Sequence, residues 1–313
     1  MRNLKLVPLN RADPGAVAAL MLEEEQAWMK ELGWDYSPVR RILASFLERD
    51  LLPGYVAADA SRALGYTYYL LHGHKGIIGT LFVSDPDGPQ EVTAPILALA
   101  VDSLRRTPQI RRIESQIIPF HTVKLVEQFT KHGFQHYPRC YLELPLGTYP
   151  ADRHSHPDVR IVSWNEACAL LAAEVAFMSY RDETDALICE DYGSVNGCAS
   201  YLRSLTENPG CGIFRPEGSF AALDSQSSLC GFVISSRISR SVGMIPQIAV
   251  LPAHQGRGVG TALIHQSLSR FKASGFRSVC LTVTRKNRRA FEWYQRLGFK
   301  IRKEFGAFVW NRN

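Results

Sequence analysis

No apolar run in this sequence reaches the ~18 residues that a membrane span needs. Residues 1–7, Met1-Arg2-Asn3 running into alternating Leu4-Lys5-Leu6-Val7, lack the unbroken apolar stretch of a secretory leader. A cytoplasmic protein away from the membrane is expected. Cysteine is sparse and ill-suited to pairing: seven residues, at 140, 168, 189, 198, 211, 230 and 280, with no C-x-x-C among them. A disulfide framework and a structural zinc site are both disfavoured, leaving buried reduced thiols that pack as small hydrophobes. An excess of one charge is missing too. Thirty-six Lys and Arg stand against 30 Asp and Glu, and +6 over 313 residues is too dilute to neutralise many phosphates. Nucleic acid is not an expected partner. What remains is an ordinary globular composition, 46% hydrophobic and 21% charged, in a chain about twice the ~150 residues of a usual domain.

The chain reads as one pattern written twice. Leu4-Lys5-Leu6-Val7-Pro8-Leu9-Asn10 is echoed by Val159-Arg160-Ile161-Val162-Ser163-Trp164-Asn165, each an alternating strand. At an offset of 165 residues, Tyr55-Val56-Ala57-Ala58-Asp59 falls on Phe220-Ala221-Ala222-Leu223-Asp224, and Glu127-Gln128-Phe129 with Gly133-Phe134 falls on Glu292-Trp293-Tyr294 with Gly298-Phe299. The polar, proline-bracketed stretch Gly147 to Pro157 reads as a linker between the copies. The expected domains are therefore 1–146 and 158–313, joined by 147–157. His154 and His156 lie in that linker with no further ligands nearby to complete a metal set, so no metal is expected.

In the second copy the patterning predicts strands over 159–164, 219–224, 229–238, 243–250 and 279–283, with closing strands at 299–301 and 308–310. It predicts helices over 166–180, 196–206, 261–273 and 288–297. The class is α+β. Between strand 243–250 and its following helix stands Gln255-Gly256-Arg257-Gly258-Val259-Gly260. Glycines there let main chain approach a ligand closely, and a helix start adds about half a positive charge. The combination is an anion cradle suited to a pyrophosphate, with Arg257 at its rim. It is not a dinucleotide fingerprint: the spacing is G-x-G-x-G, the strand is the fourth of its copy, and Val279, Cys280 and Leu281 stand where an acidic residue is needed. It is not a Walker loop either, since Thr261 follows Gly260 without a lysine.

With Asn287-x-x-Ala290-x-x-x-Tyr294-x-x-x-Gly298-Phe299 following the cradle, the sequence resembles the GNAT superfamily of acetyl-CoA-dependent N-acetyltransferases. The resemblance is clear over 219–310, present in outline over 158–218, and faded over 1–146. It implies two tandem GNAT-like domains, each a mixed twisted sheet flanked by helices. It also implies acetyl-CoA as cofactor, with the acyl-pantetheine arm in an opening between the fourth and fifth strands. Carried over by position, the main chain of Ile248, Ala249 and Val250 would pair with the pantetheine amides. Gln255, Gly256, Arg257, Gly258, Val259, Gly260 and Thr261 would hold the pyrophosphate. Asn287 would lie beside the pantetheine, and Ala290 would let the arm pass. Tyr294 would be the general acid for the departing sulfur, because a phenol titrating near 10 keeps its proton at neutral pH while a thiol near 8.5 leaves as thiolate.

A base for the acceptor amine is less legible. Many relatives carry a Glu early on the fourth strand, but Met244 stands there, and Gln247 nearby takes no proton. Glu174, Asp182, Glu183, Glu190 and Asp191 lie beside the implied acceptor groove and also read as solvated carboxylates; loss of the proton through ordered water would serve as well. His254 reads as a solvent-facing residue of the cradle loop and Cys280 as a core thiol. Lys286, Arg288 and Arg289 suit either a 3′-phosphate or a solvated helix face.

The first copy is an internal control. Gln255 to Gly260 falls on Gln90-Glu91-Val92-Thr93-Ala94-Pro95, which has no glycine and gains an acid, and Tyr294 falls on Phe129. Residues 1–146 are expected to fold without binding acetyl-CoA. The expected activity is acetyl transfer to a primary amine, of a small molecule or a peptide, in the C-terminal domain. The alternative is an acyl-CoA-binding sensor or interaction module without catalysis. The oligomeric state is open.

Overall fold

The structure is a computed structural model that describes residues 4–60, 62–84, 89–120, 122–149 and 158–312. His154 and His156, with most of the expected linker, lie outside the described residues. Two compact units form, one from residues 1–139 with 303–313 and the other from 140–302.

The first unit contains β1 (Lys5–Pro8), α1 (Pro14–Leu32), α2 (Ser37–Glu48), β2 (Gly54–Ala58), β3 (Ala63–His72), β4 (Lys75–Val83), α3 (Pro89–Arg106), β5 (Arg112–Gln116), α4 (Val123–Lys131) and the start of β6 (Gln135–Pro145). Local chemistry fixes α1: Asp13 caps its start by accepting from the Ala16 amide at 2.9 Å, and Gly33 ends it at φ 65°. The sheet runs β1-β2-β3-β4-β5, antiparallel except for parallel β4 and β5. Leu64, Ile78, Leu97, Val101, Ile113 and Phe129 pack in its core beneath α3 and α4. The opposite face carries a buried carboxyl group. Glu24 is 1% exposed and accepts from Trp28 Nε1 at 3.2 Å, Thr80 Oγ1 at 2.8 Å and the Tyr66 hydroxyl. Burial raises its pKa despite those three donors.

The second unit contains β7 (Arg160–Ser163), α5 (Cys168–Tyr180), α6 (Thr184–Ile188), α7 (Val195–Glu207), β8 (Ile213–Phe214), β9 (Phe220–Leu223), β10 (Leu229–Arg237), β11 (Val242–Val250), α8 (Val259–Ala273), β12 (Ser278–Thr284) and α9 (Arg288–Arg296), and β13 (Lys300–Asn311) begins in it. Its sheet order β7-β9-β10-β11-β12 repeats that of the first unit, again antiparallel but for one parallel pair, β11 with β12. Fold class and strand order thus bear out the doubled pattern of the sequence: each unit is a mixed sheet flanked by helices.

The sixth strand of each sheet comes from the other half of the chain. Ala307 to Asn311 of β13 pair antiparallel with Gln116 to Arg112 of β5. Cys140 to Pro145 of β6 belong to the second unit, where Cys140, Leu142 and Leu144 join Val279 and Leu281 in one apolar cluster. The contact units therefore divide at 139/140 and 302/303, while most of the linker expected at 147–157 lies outside the described residues. The reason is physical: alternating apolar residues take β6 and β13 into whichever sheet needs an edge partner, and turn composition carries no record of that choice. The expected closing strands at 299–301 and 308–310 are one strand, β13.

Candidate functional site

At the end of β11 the chain turns through Pro252–His254 into the glycine loop. Gly256 has φ 75° and Gly258 φ 93°, both in the left-handed region that favours glycine. Gly258 is the N-cap of α8, with no side chain capping the amides and no acidic residue in the first turn. The first helical bond runs from the Ala262 amide to the Gly258 carbonyl at 2.9 Å, so the amides of Val259, Gly260 and Thr261 precede the ladder. That is what an anion cradle needs. Gln255 braces it: its Nε2 donates to the Val250 carbonyl at 2.9 Å and its Oε1 accepts from Arg289 Nη1 at 2.7 Å. Thr261 accepts from Trp293 Nε1 at 3.2 Å, tying α8 to α9. Arg257 is exposed at the rim.

β11 and β12 pair only over Val242–Met244 against Ser278–Cys280 and then diverge. A bulge lies beside this point, since four residues of β11 (Met244 to Gln247) face three of β10 (Ser236 to Ile234). The Leu251 amide donates to Cys230 O, and antiparallel alternation then turns Ala249 toward β10 and the main-chain groups of Ile248 and Val250 toward the opening. Of the three residues expected to meet a pantetheine arm, the opening receives the main chain of Ile248 and Val250 only; the ladder claims Ala249. Two hydroxyls from α5 reach the same carbonyls: Tyr180 donates to Ile248 O at 2.6 Å and Ser179 to Val250 O at 2.9 Å.

Across the opening Asn287 caps α9, its Oδ1 accepting from the Ala290 amide at 3.1 Å while its Nδ2 donates to Asp185 Oδ2 at 3.3 Å. Asp185 Oδ1 also accepts from Thr284 Oγ1 at 2.7 Å. One turn beyond the half-buried Ala290 stands Tyr294, 7% exposed, between the rings of Trp293 at 4.7 Å and Phe299 at 5.8 Å. Burial first, and the charge of Asp185 second, push its phenol well above the usual tyrosine range, so it holds its proton.

Apart from the main chain of Ala249, the second unit brings the expected residues around one opening. Asp185 was not anticipated, because α6 has only five residues, too few to show a period. Met244 is buried in the sheet and offers no base, while Glu174, Asp182, Glu183 and Glu190 are exposed, as solvated carboxylates would be. Cys280 is fully buried and its thiol is pushed up to about 12 by that burial. His254 is half-buried, 4.0 Å from Asp224. In the first unit the stretch matching the cradle is already helix α3, with Glu91 in its first turn and Pro95 within it. Phe129 is fully buried and stacks on Phe308 at 4.0 Å. Among the described residues no cluster of three metal-ligating side chains occurs, and no helix is long and apolar enough to cross a membrane.

Residues 182–299 match the model of the acetyltransferase (GNAT) family, and all of them lie in the second unit. An uncharacterized N-acetyltransferase of Methanocaldococcus jannaschii is 39% identical over 92 residues, 28% of this chain and 41% of that protein. A mycothiol acetyltransferase of Gordonia bronchialis is 36% identical over 97 residues, 30% of this chain and 32% of the relative. The chain thus matches well under half the length of these curated relatives. In fold the likeness extends end to end. A GCN5-related N-acetyltransferase from Sphaerobacter thermophilus superposes with a TM-score of 0.68 at 14% identity, covering 98% of this chain and 95% of its own. A tandem GNAT protein from the clavulanic acid biosynthesis pathway gives 0.66 at 15%, covering 99% and 98%.

Proposed function

We propose that the protein is an N-acetyltransferase that uses acetyl-CoA and acetylates a primary amine at a single site, in its second unit. The observation that carries this reading is the convergence on one opening of an uncapped glycine cradle, the outward main-chain groups of Ile248 and Val250, and a buried, protonated tyrosine. The residues fit the cofactor. Gly256 and Gly258 take a conformation that a side chain would strain, and the free amides of Val259, Gly260 and Thr261 would face the pyrophosphate. Main-chain groups of Ile248 and Val250 and the side of α9 at Asn287 and Ala290 would flank the pantetheine arm. Bound there, acetyl-CoA supplies an acetyl group activated as a thioester.

Tyr294 holds a proton at its hydroxyl, in an apolar wall that excludes water, ready for the sulfur that leaves. The acceptor amine must arrive uncharged at its nitrogen. An amine near 10.4 is mostly protonated at neutral pH, so the rate is expected to rise with pH until the amine is free. The protein itself is read as acting in the cytoplasm, away from membranes and nucleic acid. Family resemblance and the named activities of the relatives favour catalysis over a sensor that only binds acyl-CoA. Calorimetric titration with acetyl-CoA and thiol release over a panel of amines test the reading. Saturable binding with release on some amines is expected; binding without release on any amine would favour the sensor.

A further inference from the structure

Gln247 is 4% exposed, and its Nε2 is buried without a hydrogen-bond partner, while its Oε1 accepts from the Tyr192 hydroxyl at 2.7 Å. An unmet buried amide donor is costly, and the bulge in β11 beside it is the kind of device that re-aims a side chain at a site. Gln247 shares its face of β11 with Ala249, the face packed against α5 and α7. Tyr192 links it to the reaction centre. The ring stacks on Tyr180 at 4.4 Å, whose hydroxyl holds Ile248 O at the opening. Asp185 lies close enough to raise the pKa values of both Tyr192 and Tyr294. The Asp185 carboxylate is held by Thr284 and Asn287, one bond to each oxygen, and each oxygen keeps further acceptor capacity. A negative group near the acid and an unmet donor behind an aromatic wall define two points of contact for one molecule.

Resting on the reading of the second unit as an amine acetyltransferase, we infer that its acceptor is a primary amine bearing a hydrogen-bond-accepting oxygen. Its nitrogen lies against Asp185 and its oxygen against Nε2 of Gln247. Amino amides, amino alcohols and amino sugars share this chemistry; simple alkylamines do not.

The test uses the full-length chain and matched probes, L-phenylalaninamide against 2-phenylethylamine and D-glucosamine against cyclohexylamine. Each is titrated calorimetrically with and without coenzyme A, and each is assayed for thiol release from acetyl-CoA. The oxygen-bearing member of at least one pair is expected to bind and react about tenfold better, the worth of one buried hydrogen bond. Gln247→Leu should collapse that ratio to near one, and Asp185→Asn should raise the KM for amines more than it lowers kcat. Coenzyme A binding by each variant reports its folding, and Gln247→Glu, which keeps the acceptor for Tyr192, is the second variant should Gln247→Leu fail to fold. A preference that survives Gln247→Leu, or no preference within either pair, overturns the subsite. Failure of the wild-type chain to bind coenzyme A overturns the acetyltransferase reading instead, and the titrations without coenzyme A then still decide on the subsite.

Discussion

Asn287 and Asp185 hold the two sides of the opening together through a hydrogen bond of 3.3 Å, while the same Asn287 amide caps α9 through its other end. One side chain therefore serves a helix start and a link to α6. Asn287→Ala is expected to cost about 1 kcal/mol for the cap and to weaken acetyl-CoA binding. Asn287→Asp keeps a capping oxygen but sets a second carboxylate against Asp185, so its coenzyme A affinity should fall further than its stability. Denaturant midpoints and calorimetry separate the two. An Asp variant that binds as the wild type does would remove the link from the site.

Writing the first unit's residue into the second tests the cradle. Gly256 corresponds to Glu91, and with φ 75° it is strained by any side chain, by about 1–3 kcal/mol. Gly256→Gln carries that strain alone, whereas Gly256→Glu adds a negative charge where a pyrophosphate is proposed. The Glu variant should bind acetyl-CoA at least about tenfold more weakly than the Gln variant. Glu91→Gly in the first unit should leave binding as it was. Equal affinities for the Gln and Glu variants would mean that no phosphate sits there.

The repeat, the glycine cradle and the α9 register were readable because each leaves a local mark: alternation, positive-φ glycines, and residues spaced three or four apart. The contributions of Asp185 and Gln247 leave none. Asp185 lies on a helix too short for a period, and Gln247 acquires its role from a bulge that inserts one residue into β11. The strand exchange was hidden for another reason. Gln135 to Pro145 and Lys300 to Asn311 read as ordinary strands, and which sheet each completes depends on partners more than a hundred residues away, such as Leu144 with Val279 and Phe308 with Phe129.

Glu24 makes the first unit sensitive to pH. Its carboxyl group titrates above the ordinary range because burial opposes its charge. A group whose pKa is raised on folding stabilises fully below its unfolded pKa, and that contribution fades as pH rises through the folded value. The unfolding midpoint of the wild type should therefore fall from about pH 4.5 upward. Glu24→Gln should flatten this slope, and Glu24→Ala, which orphans the donors of Trp28, Thr80 and Tyr66, should destabilise by about 1–3 kcal/mol or more. Parallel wild-type and Glu24→Gln profiles would show that the carboxyl stays ionised.

Tyr294→Phe removes the proton and keeps the ring between Trp293 and Phe299. Turnover should drop about 10²-fold or more, with much less change in acetyl-CoA affinity. Because burial and Asp185 both raise the phenol's pKa, the wild-type rate should not decline on the alkaline side up to about pH 10, the usual tyrosine value. A decline below that pH which vanishes in the Phe variant would show a phenol less shielded than its burial implies. Unchanged turnover in Tyr294→Phe would remove it as the acid.

The buried thiols Cys198, Cys230 and Cys280 are poor carriers for an acetyl group, in keeping with the direct transfer proposed above. Only a thiolate attacks a thioester readily. Burial pushes Cys280 up to about 12, and Cys198 and Cys230 each to about 11, so each is overwhelmingly protonated at neutral pH. A thiol reagent added to the folded protein should modify the half-buried Cys168, Cys189 and Cys211 first, and Cys140, Cys198, Cys230 and Cys280 only on unfolding. Cys280→Ser should then acetylate its acceptor as the wild type does. Acetyl-CoA incubated without an amine should leave no acetyl group on the chain by intact mass. A stable mass increase of one acetyl that disappears in Cys280→Ser would replace direct transfer with a two-step route.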